Sequence, residues 1–211
     1  MKITRFGHSC FLAEINGVRI LFDPGNYSDG QNKIKNIDLM LITHKHQDHF
    51  DASSVEAIIK NNSNIDIITN KSVGAVLDED EIPYRVLKDR ESFTFKNIII
   101  KAFDTNHALI YPGYPTDQNT GYLIDNELFY PGDSFIMPDV PVRVVALPIA
   151  GPWMKTAEAV EYVKKTKPEI CFPVHEWILE SPEIVHHIMK NALDPTGISF
   201  VVPEICKETD L

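Results

Sequence analysis

The feature that most constrains this chain is a polar cluster that directly follows a short apolar run. The run covers residues 38–42, and the cluster covers residues 43–51 with the sequence Thr-His-Lys-His-Gln-Asp-His-Phe-Asp. A short apolar run of this kind predicts a buried β-strand, so the cluster is expected at its carboxyl end. Imidazole and carboxylate groups are preferred ligands of zinc and similar ions. The cluster therefore predicts a metal site.

The spacing within the cluster indicates more than one ion. His44 and His46 are two residues apart, so in extended chain both side chains leave on the same side and can chelate one ion. Asp48 and His49 follow after a turn. The backbone seldom folds four ligands from six consecutive residues around one tetrahedral ion, and two adjacent ions are the simpler solution. The alternative for this segment is a solvated loop that happens to be rich in histidine.

Three later residues have the same relation to a predicted strand. His107, Asp133 and His175 each follow a predicted strand immediately, as His44 does. Side chains at the same ends of several strands converge, which is how discontinuous sites are assembled. The alternatives are a lone loop histidine at His107 and an ordinary Gly-Asp turn at Asp133. The adjacent histidines at positions 186 and 187 fall within a predicted helix, and we interpret them as surface residues.

Periodicity predicts an alternation of strands and helices. The predicted strands cover residues 2–6, 10–15, 18–22, 38–42, 66–69, 84–87, two segments within 92–104, 120–124, 127–130, 144–148, 169–173 and 198–202. The predicted helices cover residues 52–61, 72–77, 156–166 and 182–192. Asn16-Gly17 is a strong hairpin signal, and Asp51 is the expected N-cap of the first helix. The strands come in two batches with helices behind each, which predicts an α/β fold, a four-layer αββα sandwich forming one domain over residues 1–211.

The composition limits the classes of function. The chain has 211 residues and a formal net charge of −10, and this acidity argues against a nucleic-acid partner, which would need a basic face. No apolar run approaches the ~18 residues of a membrane span, and the first residues lack a secretory apolar region. The three cysteines form no Cys-x-x-Cys motif, so the cytoplasm is the expected location. The sequence leaves open whether the chain forms a homo-oligomer.

The pattern His-x-His-x-Asp-His at residues 44–49 resembles the signature of the metallo-β-lactamase superfamily. The resemblance covers nearly the whole chain and implies the metallo-β-lactamase sandwich fold. It also implies a division of the ligands between two ions. The first ion would be held by His44, His46 and His107. The second would be held by Asp48, His49 and His175, with Asp133 bridging both.

Other motifs narrow the resemblance to one branch. Gly7-His8-Ser9-Cys10-Phe11 and the segments at residues 21–25, 147–151 and 173–175 are similar to the branch that contains ascorbate-6-phosphate lactonase. Asp48-His49 matches the hydrolytic form of the signature, whereas the oxygen-reducing di-iron members resemble His-x-His-x-Glu-x-Asp. The chain is also too short to carry the insert domain of the nucleic-acid-processing members.

These patterns predict a metal-dependent hydrolase. Two divalent ions can lower the pKa of a bridging water from 15.7 towards ~7 and supply hydroxide at neutral pH. The expected reaction is cleavage of an ester, lactone, amide or phosphodiester bond of a small-molecule substrate. Zinc suits the ligands, and manganese and iron tolerate them too. The alternatives are a metal-dependent oxygenase or thioester hydrolase on the same scaffold, and a non-catalytic metal-binding regulatory protein.

Several residues are candidates for supporting roles. Asp48 and His8 are candidates for handling the leaving group, although His8 is equally compatible with a structural role in a turn. Tyr111 and Lys155 are candidates for substrate binding, the latter because it lies at the start of a helix whose N-terminus favours anions. A merely polar loop is the alternative there. Asp23 either orients a metal-binding histidine or caps a turn. The loops at residues 26–36 and 109–118 are expected to border the pocket and to set specificity.

Overall fold

Two mixed β-sheets lie face to face in the computed structural model, which describes residues 1–28 and 30–211. Each sheet contains seven of the strands found in this part of the chain, and helices cover the outer faces. The predicted α/β sandwich is therefore confirmed. The predicted loop at residues 26–36 contains Asp29, which lies outside the described residues.

The first sheet combines an antiparallel and a parallel half. Its strand order is β14-β1-β2-β3-β4-β5-β6, antiparallel from β14 to β3 and parallel from β3 to β6. Its strands are β1 (Lys2–Gly7), β2 (Cys10–Ile15), β3 (Val18–Phe22), β4 (Leu39–Leu41), β5 (Asp66–Thr69), β6 (Arg85–Val86) and β14 (Glu208–Asp210).

The second sheet has the same division, and its antiparallel half again precedes its parallel half in the chain. Its strand order is β13-β12-β11-β10-β9-β8-β7, parallel from β13 to β10 and antiparallel from β10 to β7. Its strands are β7 (Ser92–Phe95), β8 (Ile98–Asn106), β9 (Gln118–Ile124), β10 (Leu128–Tyr130), β11 (Val144–Pro148), β12 (Ile170–Val174) and β13 (Ser199–Phe200).

In the described residues, four α-helices form the outer layers: α1 (Ala52–Asn61), α2 (Lys71–Leu77), α3 (Thr156–Thr166) and α4 (Pro182–Leu193). Apolar residues of α1 and α2 pack on the outer face of the first sheet, and those of α3 and α4 pack on the outer face of the second. Each helix is amphipathic and has one apolar side to bury, so the helix-sheet-sheet-helix order removes four apolar faces from water.

The central core lies between the two sheets and is built around stacked aromatic rings. Phe11 and Phe22 of the first sheet stack with a centroid separation of 4.4 Å, and Tyr130 and Phe172 of the second sheet approach Phe11 edge-on at 5.3 Å. All four side chains are essentially inaccessible to solvent. Edge-to-face contacts add to the free energy of burial, and they hold the ends of the two sheets in register.

Polar bonds join the sheets at the edge where β4 ends. The backbone amide of Thr120 in β9 donates to the carbonyl of Thr43 at 2.9 Å, and the Asn70 amide donates to the same carbonyl at 2.7 Å. The Tyr122 hydroxyl donates to the carbonyl of Ile42 at 3.1 Å. These buried bonds position the segment that carries the histidine cluster relative to the second sheet.

The local turn and cap signals of the sequence are found in the structure. Asn16 and Gly17 both have positive φ, 51° and 77°, as a two-residue hairpin turn requires. Asp51 caps α1 by accepting a hydrogen bond from the Ser54 amide at 2.9 Å. The bounds of α1 and α3 are those predicted.

The C-terminal segment differs from the prediction. The strand predicted at residues 198–202 is shorter, Ser199–Phe200, and it is not the last one. Residues 208–210 form β14, which pairs antiparallel with β1 in the register Lys2↔Asp210. This segment is short and polar, so its extended conformation depends on pairing with β1 and not on its own pattern. In the described part of the chain, no helix combines the length and apolar character that a membrane crossing needs.

Candidate metal centre

The seven predicted ligands meet at one edge of the sandwich. His44 follows β4, and His107, Asp133 and His175 follow β8, β10 and β12, so both sheets contribute. Potential ligand atoms lie within 4.8 Å of one another in three overlapping groups: His44, His46 and His107; His8, Asp48, His49 and His175; and His44, His49 and Asp133. The structure thus brings together residues from widely separated parts of the sequence.

The first group contains three imidazoles only. The ring centroids of His44, His46 and His107 are 4.6–5.1 Å apart. Nε2 of His44 is buried without a hydrogen-bond partner, although an unpartnered buried polar atom is costly. Burial holds the pKa of His44 well below its usual value, so the ring is neutral and its lone pair is available. These properties fit a metal ligand.

Polar contacts on the far side of each ring indicate its tautomer. Nδ1 of His107 donates to the Ala108 carbonyl at 2.6 Å, which leaves Nε2 as the bare nitrogen. Nε2 of His46 faces the Asp117 carboxylate at 3.2 Å, which leaves Nδ1. Thr43 Oγ1 lies 3.0 Å from Nδ1 of His44 and donates its own proton to Asp23, so it accepts from His44. Such partners orient the rings of metal-binding histidines.

The second group combines imidazoles with a carboxylate. Oδ2 of Asp48 lies 3.4 Å from Nε2 of His175 and 3.7 Å from Nε2 of His49. Both histidines are buried, whereas Asp48 retains some exposure and faces the cleft described below. The group can hold a second ion with one side open to solvent.

Asp133 connects the two groups. Its carboxylate lies 3.1 Å from Nε2 of His49, 2.8 Å from Nε2 of His175 and 3.3 Å from Nε2 of His107. The Trp153 indole donates to Oδ2 at 2.8 Å, and Oδ1 has no hydrogen-bond partner. A buried carboxylate without full compensation needs a cation, so this position suits a ligand shared by two ions.

Without a metal ion, protonated histidines offset part of the carboxylate charge in the cluster. Burial raises the pKa of Asp133, but the facing His175 and His49 lower it further, and the net pKa is well below the usual value. Burial lowers the pKa of His175, but Asp133 raises it to about 9. The pKa of His49 is likewise raised well above its usual value, because Asp133 and Asp48 outweigh burial. These protons occupy positions that metal ions would take.

Metal affinity is therefore expected to rise with pH. Below its pKa of about 9, metal-free His175 carries a proton that an ion must displace, and the same holds for His49. Between pH 6.5 and 8.5, the apparent association constant should rise about tenfold per pH unit for each proton displaced. Calorimetry in buffers of different ionisation enthalpy measures the protons released. Affinity that is flat over this interval would contradict the expected competition.

Asp23 is the hydrogen-bond hub behind the cluster. It is buried and accepts from the Thr43 amide at 2.8 Å, the Thr43 hydroxyl at 2.7 Å and the Tyr130 hydroxyl at 2.8 Å. Its Oδ2 also lies 2.7 Å from Nδ1 of His49. Of the two roles that the sequence leaves open, these contacts match the orienting one, because they direct Nε2 of His49 into the site.

Asp23→Asn is expected to lower metal affinity about 10- to 100-fold, the usual cost of losing a partner behind a metal-binding histidine. Tyr130→Phe removes only one of the bonds to Asp23 and should lower metal affinity less than Asp23→Asn does. We expect it to lower the free energy of unfolding by about 1 kcal/mol. Titration against a chromophoric chelator measures the affinity, and thermal unfolding shows whether the variants are folded. Equal metal affinities for Asp23→Asn and the wild type would show that Asp23 does not orient His49.

His8 is bound to the cluster through Asp48. Its Nε2 lies 2.9 Å from Oδ2 of Asp48, and the Trp177 amide donates to its Nδ1 at 3.3 Å. Since Nδ1 accepts, the ring proton is on Nε2 and is donated to Asp48. Burial lowers the pKa of His8 to about 4, so the ring is neutral near pH 7. In this arrangement His8 is a hydrogen-bond donor to the candidate ligand Asp48.

Three residues at the cluster have strained backbone conformations. His8, Asp23 and His175 all have positive φ, at 27°, 42° and 61°. Non-glycine residues in this region cost on the order of 1–3 kcal/mol and persist only where the surrounding structure holds them. The backbone amide of His175 donates to the carbonyl of His8 at 2.8 Å, which ties two of these segments together.

A cleft with a volume of about 560 Å³ opens over the cluster. Its lining includes loop residues from both predicted pocket-bordering loops, Tyr27 and Tyr114 among them. It does not include Lys155, whose side chain is exposed and whose backbone amide bonds to Glu158 at 2.6 Å. Tyr111 is also outside the lining, and its ring packs on that of Tyr114 at 5.2 Å.

Three residues at the site were not predicted individually from the sequence. Trp153 contacts Asp133, Asp117 contacts His46, and Tyr27 lines the cleft. Trp153 follows the Gly151-Pro152 turn after a predicted strand, which is the one local signal that could have indicated it. Asp117 and Tyr27 lie in loops without periodicity, so their positions depend on the tertiary fold alone.

Comparisons with known proteins agree with this geometry. Residues 2–175 match the sequence profile of the family described as the Beta-lactamase superfamily domain. Protein Rv0786c of Mycobacterium tuberculosis is 35% identical over 184 residues, 85% of either chain. The metal-dependent hydrolase Ta0764 of Thermoplasma acidophilum is 25% identical and covers 100% of this chain and 99% of its own. A crystal structure from Parabacteroides distasonis, provisionally named a metal-dependent hydrolase, superposes with a TM-score of 0.79 at 25% identity, covering 96% and 92% of the two chains.

Proposed function

The chain belongs to the metallo-β-lactamase superfamily and is a metal-dependent hydrolase, and we propose that it uses two divalent ions to cleave an ester, lactone, amide or phosphodiester bond of a small molecule. The observation that carries the proposal is the position of Asp133. Its carboxylate is within 3.3 Å of histidine nitrogens from both candidate groups.

The donor set divides naturally between two ions. The first would be held by the bare nitrogens of His44, His46 and His107. The second would be held by Asp48, His49 and His175, with Asp133 shared. Imidazole and carboxylate donors without thiolate suit zinc, and manganese and iron accept the same donors. When bound, such a pair of ions lowers the pKa of a water molecule and polarises the bond under attack.

The residues of the chain orient the reactants and manage protons. Hydrolysis joins the water oxygen to the carbonyl or phosphoryl centre, breaks the bond to the leaving group and moves one proton to the leaving atom. Asp48 faces the cleft and is the carboxylate placed to take that proton from water and pass it on. His8 donates to Oδ2 of Asp48, which makes His8 a positioning residue that fixes the orientation of this carboxylate.

The test is metal analysis joined to a substrate panel. Purified protein is expected to bind two ions per chain, to lose hydrolysis of bis-p-nitrophenyl phosphate or of a lactone, ester and amide panel after chelation, and to regain it on reloading. His187→Ala is the matched control, because this histidine lies on α4 and contacts Asn191 instead of the cluster. Oxygen uptake by iron-loaded protein would favour the oxygenase alternative. Metal binding without turnover would favour a regulatory protein.

A further inference from the structure

We propose that the part of the substrate that does not react is an uncharged alkyl or aryl group, held by an aromatic wall of the cleft. The inference rests on the proposed function and names the substrate class for that site. It also separates this chain from lactonases of sugar phosphates, which its N-terminal motifs resemble.

Two segments that contribute lining residues to the cleft also carry large apolar side chains that are exposed. One segment contributes Leu109 (54% exposed), Tyr111 (56%) and Tyr114 (40%), and the other contributes Trp177 (61%) and Ile178 (47%). Scattered exposed apolar residues are ordinary, but a contiguous group beside a cleft marks a binding surface. We refer to these five residues as the apolar rim.

The apolar rim continues into the cleft. Tyr114 and Ile178 line the cleft itself, together with Ile110, and so they join the rim to the candidate metal centre. Trp177 stacks on Tyr27, another lining residue, with a centroid separation of 4.6 Å and an interplanar angle of 29°. The unreactive part of the substrate would therefore extend from the candidate metal centre along aromatic and aliphatic side chains.

The cleft offers little to a second anionic group. Among the described residues that line it, Lys45 is the only one with a permanent positive charge. Its Nζ is already paired with Oδ1 of Asp117 at 3.0 Å, and Asp117 also faces His46. A substrate phosphate remote from the reacting bond would have to share this single ammonium group with the Asp117 carboxylate. Lys155, the other candidate cation, is outside the lining.

The size of the cleft favours a small molecule as the occupant. Its volume of about 560 Å³ lies within the ~300–1,000 Å³ typical of small-molecule sites. A hydrophobic lining with a few convergent polar groups is the usual composition of such sites. Here the convergent polar groups are the candidate metal ligands at the floor, and the apolar rim stands at the entrance.

The test compares substrates that share a reacting bond and differ only in the remainder. Metal-loaded protein is assayed with γ-butyrolactone, γ-octalactone and a phosphorylated sugar lactone, and in parallel with methyl acetate, methyl hexanoate and phosphorylated methyl glycolate. We expect kcat/KM to rise about fourfold for each methylene that becomes buried. The phosphorylated compounds should show no such gain. A phosphorylated substrate that is cleaved best, or long substrates that gain nothing, would overturn the proposal.

Variants of the apolar rim test whether its side chains cause the rise in kcat/KM with chain length. Tyr114→Ala and Trp177→Ala should raise KM for γ-octalactone or methyl hexanoate at least fivefold, and by a larger factor than they raise KM for the short substrates. Ile184→Ala on α4 is the matched control, because its side chain is 64% exposed but does not line the cleft. Thermal unfolding verifies that each variant is folded.

The outcomes separate the substrate class from the proposed function. If no substrate of either series, and none of the amide and phosphodiester compounds of the panel, is hydrolysed in a metal-dependent manner, the proposed function fails. If short substrates are hydrolysed but chain length has no effect, only the apolar substrate class fails. Sedimentation of the rim variants and their binding to phosphatidylcholine vesicles are measured in parallel. A change in oligomeric state or vesicle binding with unchanged kinetics would assign the rim to a second copy or a membrane, and so overturn the proposal.

Discussion

Asp133→Asn is expected to reduce hydrolysis by more than about 10²-fold and to lower metal content from two ions per chain towards one. Loss of a hydrogen-bond partner behind a metal ligand already lowers metal affinity or activity about 10- to 100-fold. Asp133 itself faces histidines of both groups, so its loss should cost more. Asparagine retains the shape of the side chain but removes its charge. Metal analysis and kcat/KM on the substrates of the panel measure the effect.

A second measurement separates an electrostatic role from damage to the fold. Asp133 raises the pKa of His175 more than any other group does. In the metal-free Asp133→Asn variant this pKa should therefore fall well below about 9. NMR titration measures it. Asp139→Asn is the control, since that carboxylate lies on the surface and pairs with Lys101. Two ions bound by Asp133→Asn with undiminished kcat/KM would refute the bridging role.

Gly132→Ala is expected to destabilise the fold by about 2–4 kcal/mol and to weaken metal binding. Gly132 has φ of 63°, where alanine is strained, and a Cβ there would lie 2.2 Å from Oδ1 of Asn119 and 2.9 Å from Cβ of Thr43. Strain and overpacking each cost on the order of 1–3 kcal/mol. Oδ1 of Asn119 accepts from the Asp133 amide at 3.0 Å, so moving Asn119 also moves Asp133.

Gly197→Ala is the matched control for that prediction. Gly197 also has positive φ, 81°, but an added Cβ meets nothing within 4 Å, so this variant measures the backbone strain alone. Urea unfolding gives the free energy of unfolding, and chelator competition gives the metal affinity. If both variants lose the same stability and neither loses metal affinity, then close packing at Gly132 does not position Asp133.

Much of the fold follows from local patterns. The bounds of β2, β3, β5, β11, α1 and α3 coincide with the predicted ones, because alternation, turn residues and helical spacing all agree there. Strand β14 could not be predicted, because residues 208–210 are polar and become a strand only through pairing with β1. The seven candidate ligands could be predicted because they fall in four segments that each follow a strand, and these segments lie at the same edge of the sandwich.

The supporting parts of the site depended on tertiary structure. The role of Asp23 was open in the sequence because one carboxylate serves equally well in a turn and behind a histidine. Only the approach of His49 and Tyr130 decides between them. Lys155 was expected near the substrate because it begins a helix, but its side chain is exposed away from the cleft lining.

The sequence by itself determined the type of chemistry, since histidines and aspartates at strand ends are informative without knowledge of their neighbours. Only the tertiary structure decided which nitrogen of each ring faces the cluster and that Lys45 is neutralised by Asp117. Only the tertiary structure also showed that an apolar rim adjoins the cleft. The physical reason is that ligand identity is a property of single residues, whereas tautomer, charge balance and cleft shape arise from contacts between segments far apart in the chain.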